Sequence, residues 1–297
     1  MMTLNVLISC YNDSVSDVPE IFLSPRDDIR YIVSHQMSPD FATAHPELTA
    51  DIASSFGQRA DVVYSPFVGK GISRNRNHCL DALAAFLRDG AAPLHEMSLF
   101  HGGHLYDSEA VGDVYIKNQL CVLADDDVRY ADTMPDLILG LFDRMPDADV
   151  ICGKIETPSG QPEFKGYPTA SHRVAKVPVY GKFYFSSVEV SFRLAPVLAA
   201  GIRFDERFGL GSDQWPEGGE DPIFLSDCLS AGLRLMYVPE YVVIHPYLST
   251  GKKGKTIRKA QMLEAVAVRC RGRNSPAAFV GRLRVSYRRL LAALHLL

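Results

Sequence analysis

Four short apolar runs, at residues 5–9, 30–34, 61–64 and 119–124, alternate with helix-patterned segments through the first half of the chain. Each run has the length of a buried strand and is too short for a helix. Residues 45–56 read as helical. Residues 73–88 place apolar side chains at 79, 80, 83, 86 and 87, the spacing of one helical face, with Ser73 as the expected N-cap. A helix at 133–144 and a strand at 149–153 continue the rhythm. Strands joined by helices run parallel, because the helix carries the chain back along a face of the sheet. The expected fold is therefore α/β: an open, mostly parallel twisted sheet with helices on both faces.

A chain of 297 residues suits one large domain of this kind, or one domain with an appendage. Residues 89–118 break the alternation. They hold Gly102, Gly103, His95, His101 and His104 without a helical or strand period, and read as an inserted loop whose histidines are polar loop residues and not a zinc site. Residues 155–182 read as a long loop, 183–192 as β-prone and 193–200 as a short helix. Residues 204–219 form a loop carrying Trp215, and short strands are expected at 235–238 and 241–245 around Pro239 and Glu240.

Composition narrows the setting. No run of 18 apolar residues exists, so no membrane-spanning helix is expected. The first residues lack a basic start and a cleavage site and read as a strand, not a signal peptide. The six cysteines form no Cys-x-x-Cys pair and read as buried thiols of a reducing cytoplasm.

The net charge of −4 hides an asymmetry. Residues 250–297 hold twelve Lys or Arg and one acid, Glu264, for +11, whereas the other 249 residues carry 19 bases and 34 acids, for −15. The expected division is a main body at 1–249 and a basic helical tail at 250–297. Within the tail, Phe279, Val280, Leu283, Tyr287, Leu290, Leu291 and Leu294 have helical spacing beside Arg282, Arg284, Arg288 and Arg289. Such a helix either packs on the body or lies on an anionic membrane, which would place the protein peripherally on the inner face of the cytoplasmic membrane. The tail lacks interleaved stacking aromatics, so nucleic acid is not an expected partner.

Two acidic features carry the chemistry. Asp125, Asp126 and Asp127 follow the apolar run 119–124. Three adjacent carboxylates at a strand end repel one another unless a cation binds, and a divalent cation with a phosphate-bearing ligand suits them; the other reading is a solvated turn. Asp125 and Asp127 are two apart and point the same way if the backbone stays extended. Downstream, Gly218, Gly219, Glu220 and Asp221 precede a helical pattern opened by Pro222, which makes Asp221 the expected N-cap. A carboxylate there can serve as a base beside a flexible loop. Arg74 and Arg76, opening the helix at 73–88, have the fork geometry that suits phosphates.

Taken together, these segments resemble the family 2 glycosyltransferases, which have the GT-A fold. The likeness runs from about residue 4 to about 246 and rests on VLISCYND at 6–13, GISRNRN at 71–77, VLADDD at 122–127, FDERFG at 204–209, Gly219-Glu220-Asp221, and YVPE at 237–240 followed by His245. It implies a nucleotide-binding half at 1–130 and an acceptor-side half at 131–249. It implies a nucleotide-sugar donor, a UDP-sugar foremost, bound by Cys10, Asn12, Asp13, Gln36, Arg76, Asp125 and Asp126. Mn²⁺ or Mg²⁺ would be held by Asp125, Asp127 and His245, although His245 also reads as a structural histidine. Asp221 would be the base of an inverting transfer to a saccharide or lipid-linked acceptor, with Glu220 beside it. Trp215 reads as an acceptor platform or as a buried anchor. The family's acidic base-reading residue after the second strand is missing, and Gln36 and Asp40 stand in that stretch. Two other readings are a sugar-nucleotide nucleotidyltransferase and a non-catalytic carbohydrate-binding protein. The turn after the first strand lacks the Gly-rich basic loop of the former, and retention of Asp127 and Asp221 argues against the latter.

Overall fold

The computed structural model describes residues 2–89, 116–181, 183–247 and 256–294; most of the insertion expected at 89–118, with His95, His101 and His104, lies outside them. Eight strands form one sheet: β1 (Thr3–Tyr11), β2 (Ile29–Met37), β3 (Val62–Val68), β4 (Gln119–Asp125), β5 (Val150–Glu156), β6 (His172–Arg173), β7 (Val190–Arg193) and β8 (Leu235–Ile244), in the order β3-β2-β1-β4-β7-β5-β8-β6. β3, β2, β1 and β4 run parallel, and so do β5 and β8. β7 lies antiparallel between β4 and β5. The expected open, mostly parallel sheet is present.

Alternation along β1 sorts the core into two layers. Leu4, Val6 and Ile8 pack on one side with Val122, Ile138 and Phe142, the last two from the helix Met134–Arg144. Leu7 faces the other side with Leu80, Leu83, Leu123 and Phe224. The helices are α1 (Pro39–Ala44), α2 (Leu48–Phe56), α3 (Ile72–Asp89), α4 (Met134–Arg144), α5 (Leu194–Ala199), α6 (Glu220–Ser230), α7 (Ile257–Arg271) and α8 (Pro276–Ala293).

Several local expectations change. The helix expected at 45–56 is α2, which starts at Leu48, and the short α1 before it lies outside the expected range. The two short strands around Pro239 are one strand with register shifts against β5, since proline has no N–H for the ladder and a bulge takes it up. Gly153 lets that bulge close: a Cβ there would lie 2.6 Å from Val242 Cγ1.

The tail forms α7 and α8. Met262 and Val266 of α7 are buried against Phe208 and Ile223, which joins the tail to the loop before α6. α8 buries its small residues, Ala278 and Gly281, together with Val285. Among the described residues, no helix is long and apolar enough to cross a membrane.

Candidate active site

The acids of the triplet diverge. Asp125 is the last residue of β4, opposite Ser9 of β1, and Asp126 and Asp127 lie in a turn. The extended backbone ends at Asp125, so the two-residue alternation that would aim Asp125 and Asp127 together no longer applies. Asp125 accepts from Arg76 Nη2 at 3.0 Å. Asp126 accepts from Ser14 Oγ, and burial pushes its pKa up to about 6. Asp127 Oδ1 lies 3.3 Å from His245 Nε2.

His245 is oriented by its second ring nitrogen. Nδ1 lies 2.6 Å from the Pro246 carbonyl oxygen, which can only accept, so Nδ1 carries a proton. Nε2 is then aimed at the Asp127 carboxylate. Burial opposes a charge on His245, but Asp127 outweighs it and raises the pKa of the ring. The hydrogen bond with His245 in turn lowers that of Asp127. An imidazole fixed by a carbonyl, beside a carboxylate, is a donor set that fits a divalent cation. Among the described residues no group of three or more His, Cys, Asp or Glu could hold a metal ion, so the expected set of Asp125, Asp127 and His245 is not brought together, and Asp125 turns to Arg76 instead. A two-ligand site suits a hard cation that takes its remaining oxygens from phosphate and water.

A second cluster lies alongside. Arg76, near the start of α3, has a side chain only 4% exposed. Its Nη1 donates to Glu220 Oε1 at 3.2 Å and Asp221 Oδ1 at 3.0 Å, and its Nη2 to Asp125 and to Ser187 Oγ at 2.7 Å. One guanidinium thus gathers three carboxylates from β4 and α6. Its expected role as a phosphate fork is replaced by this one, because both terminal nitrogens are spent within the protein. Burial and the neighbouring Glu220 carboxylate raise the pKa of Asp221 to about 7, against the pull of Arg76.

Asp221 is not the N-cap. α6 starts at Glu220 behind Gly219, whose φ of 99° is the left-handed conformation glycine adopts freely. The helix therefore begins earlier than Pro222 suggests, and Asp221 turns its carboxylate to Arg76 and to the Ser187 N–H, 3.1 Å from Oδ2. A Cβ on Gly219 would lie 2.6 Å from Val266 Cγ2, so a side chain there would collide with α7.

The remaining donor-side candidates divide. Cys10 is buried, with its thiol on the Ser34 carbonyl. Asn12, at φ 52°, accepts from the Ser38 N–H at 2.9 Å, and its carbonyl meets His35 Nε2 at 2.7 Å. Gln36 is buried and donates to the Gly71 carbonyl at 3.3 Å. These three side chains shape the turn. Asp13 and Asp40 are exposed, as is the ring of Tyr11 at the end of β1, 42% accessible. Trp215 is half-buried, stacked on Phe208 with ring centroids 6.3 Å apart, and packs with the α7 cluster. Tyr184, 41% accessible, stands three residues before Ser187, whose N–H donates to Asp221.

Ser187 and its supports were absent from the sequence reading. Ser186 and Glu189 form a capping box, the Ser-x-x-Glu spacing that is visible in the sequence. Lys165 beneath them comes from the Gly- and Pro-rich stretch, where nothing local marks it.

This sheet, with acids gathered at the carboxyl ends of its strands, is a GT-A-like glycosyltransferase fold. The solved structures it is similar to include TarS of S. aureus. For the TarS 1–349 structure the TM-score is 0.53 at 14% identity, covering 96% of this chain and 69% of that one. For the same fragment in complex with UDP-GlcNAc the values are 0.54, 13%, 96% and 71%. A longer TarS chain gives 0.54 at 15% identity, with 96% of this chain and 42% of that one covered. No protein-family model matches the sequence, and no curated protein matches it.

Proposed function

We propose that the protein transfers a sugar from a nucleotide-sugar donor, a UDP-sugar foremost, to a saccharide or lipid-linked saccharide acceptor, with inversion. The observation that carries this reading is the pair of groups at the carboxyl end of β4: Asp127 with His245 in the turn that follows it, and Asp221, held by the same Arg76 that bonds Asp125. Asp127 and His245 would hold Mn²⁺ or Mg²⁺. Such a cation, when bound, neutralises the diphosphate leaving group. UDP-GlcNAc and UDP in the TarS complexes support a uridine donor. The exposed Tyr11 ring offers a stacking face at the end of β1, and Asp13 and Asp126 offer acceptors for ribose or base.

Asp221 takes the proton of the acceptor hydroxyl. A carboxylate raised to about 7 is a stronger base than an ordinary one and is still about half ionised at neutral pH. Arg76 holds it in place and cancels part of the repulsion from Asp125 and Glu220. Attack from the base's side, opposite the leaving diphosphate, inverts the anomeric carbon in a single displacement. The Tyr184 ring, beside the base, presents an apolar face to the acceptor sugar.

The reading extends to an anionic membrane. Phe279, Val280, Leu283, Tyr287, Leu290 and Leu294 are 39–58% exposed and lie on the side of α8 opposite Ala278, Gly281 and Val285. Four arginines flank that stripe and α8 holds no acid. This is the pattern of a helix lying in an anionic interface, where lipid-linked acceptors are found.

The test is a thermal-stabilisation screen of nucleotide sugars with and without Mn²⁺. A UDP-sugar should raise Tm when Mn²⁺ is present. Absence of any nucleotide-sugar response would overturn the proposal.

A further inference from the structure

A fully enclosed ion pair lies under the base and is not used by the chemistry above. Lys165 is 4% exposed in its side chain and Glu189 is 0% exposed. The Lys165 ammonium donates to Glu189 Oε1 at 2.7 Å, to the Tyr184 carbonyl at 2.5 Å and to Ser186 Oγ at 3.1 Å. Glu189 also accepts from the Ser186 N–H at 2.9 Å and from the Tyr167 hydroxyl at 2.9 Å. Every one of these bonds converges on residues 184–189. Ser187, in the middle of that turn, gives its N–H to Asp221 and its hydroxyl to Arg76.

Stability alone is a weak reason for such a pair. Removing two charges from water is costly, and uncharged side chains of similar shape often hold a fold equally well. What an apolar pair cannot do is specify one geometry for a short turn. Three directed donors on one ammonium, with a carboxylate saturated at both oxygens, leave the 184–189 backbone a single arrangement. The same anchor presents the exposed Tyr184 ring, whose centroid lies 4.3 Å from Lys165 Nζ.

We infer that Lys165 and Glu189 are positioning residues: they fix the turn whose Ser187 orients Asp221 toward the acceptor hydroxyl. The inference rests on Asp221 being the base. It locates the determinant of kcat one layer below the residues that touch substrate, where misplacement by a fraction of an ångström carries a large rate penalty.

The experiment compares wild type, Lys165→Met/Glu189→Gln, Ser186→Ala and Asp221→Asn in release of UDP from UDP-GlcNAc, alongside calorimetric UDP affinity and Tm. The double variant keeps the shapes and the Ser186 acceptor but no charge. It should keep Tm and UDP affinity near wild type, with donor KM unchanged and kcat reduced about tenfold to a hundredfold. Ser186→Ala, which removes one of the three Lys165 bonds, should lose less, in the same direction. A double variant with wild-type kcat beside an inactive Asp221→Asn would overturn the positioning role alone. Loss of kcat only in step with Tm would overturn it too, leaving the pair as structural. An Asp221→Asn protein at the wild-type rate would instead remove the base assignment on which the inference rests.

Discussion

Arg76 Nη1 stands 3.0 Å from Asp221 Oδ1, joining the start of α3 to the first turn of α6 across 145 residues of sequence. The same guanidinium reaches Asp125 and Glu220, so it is the counter-charge for three acids drawn from two elements. Replacing it by methionine leaves those acids facing one another in a largely enclosed site. Breaking a buried pair by removing one partner costs about 3–5 kcal/mol. Arg76→Met should lower the urea midpoint accordingly, and Arg76→Lys, which keeps the charge but not the fork, should fall between. A methionine variant as stable as wild type would contradict the clamp.

Asp221→Asn retains the shape of the side chain and removes the proton acceptor. Donor affinity should stay near wild type while the rate falls roughly a hundredfold or more. The wild-type pH profile follows from the same group. As the proposed base, Asp221 would be competent when deprotonated, and its pKa is raised to about 7, so kcat should rise with pH through about 7 and fall on the acid side. The acid limb should disappear from the residual rate of Asp221→Asn. A limb that stays in place would assign the titration to another residue.

The α8 stripe makes a separate prediction. Because Met262 and Val266 of α7 are part of a buried cluster, cutting the chain near 250 would uncover Phe208 and Ile223 and confuse the result. Charge placed on the exposed face is the cleaner change. Leu283→Glu/Leu290→Glu should leave Tm near wild type and reduce sedimentation with phosphatidylserine vesicles several-fold, while wild-type binding should weaken with salt. Equal sedimentation with neutral and anionic vesicles would exclude the membrane role.

How far the sequence reached depends on the kind of signal. β1 and β4 were legible because buried strands are continuous apolar runs, and the divergent acids were found because Asp125 ends such a run. α1 was missed: it has six residues and buries none of them, so no apolar period marks it. The position of Asp221 was misread because Pro222 is a stronger local start signal than the left-handed Gly219 that begins the helix. The direction of α8 was hidden for a related reason, since its packing face is made of Ala278, Gly281 and Val285, and small residues carry little hydropathy. Arg76 looked like a phosphate fork because its three carboxylates come from positions 49 to 145 residues away, a distance local pattern does not span.

Asp127 and His245, as the proposed cation ligands, should make nucleotide binding depend on a divalent cation. The most direct measurement is calorimetric titration of UDP into wild-type protein, Asp127→Ala and His245→Ala, each with Mn²⁺ and with a chelator. Tight binding is expected only for wild type with Mn²⁺, with at least about tenfold weaker binding on chelation and no metal effect in either variant. UDP binding to wild type that is equally strong in chelator, or a metal effect that survives loss of Asp127, would contradict it.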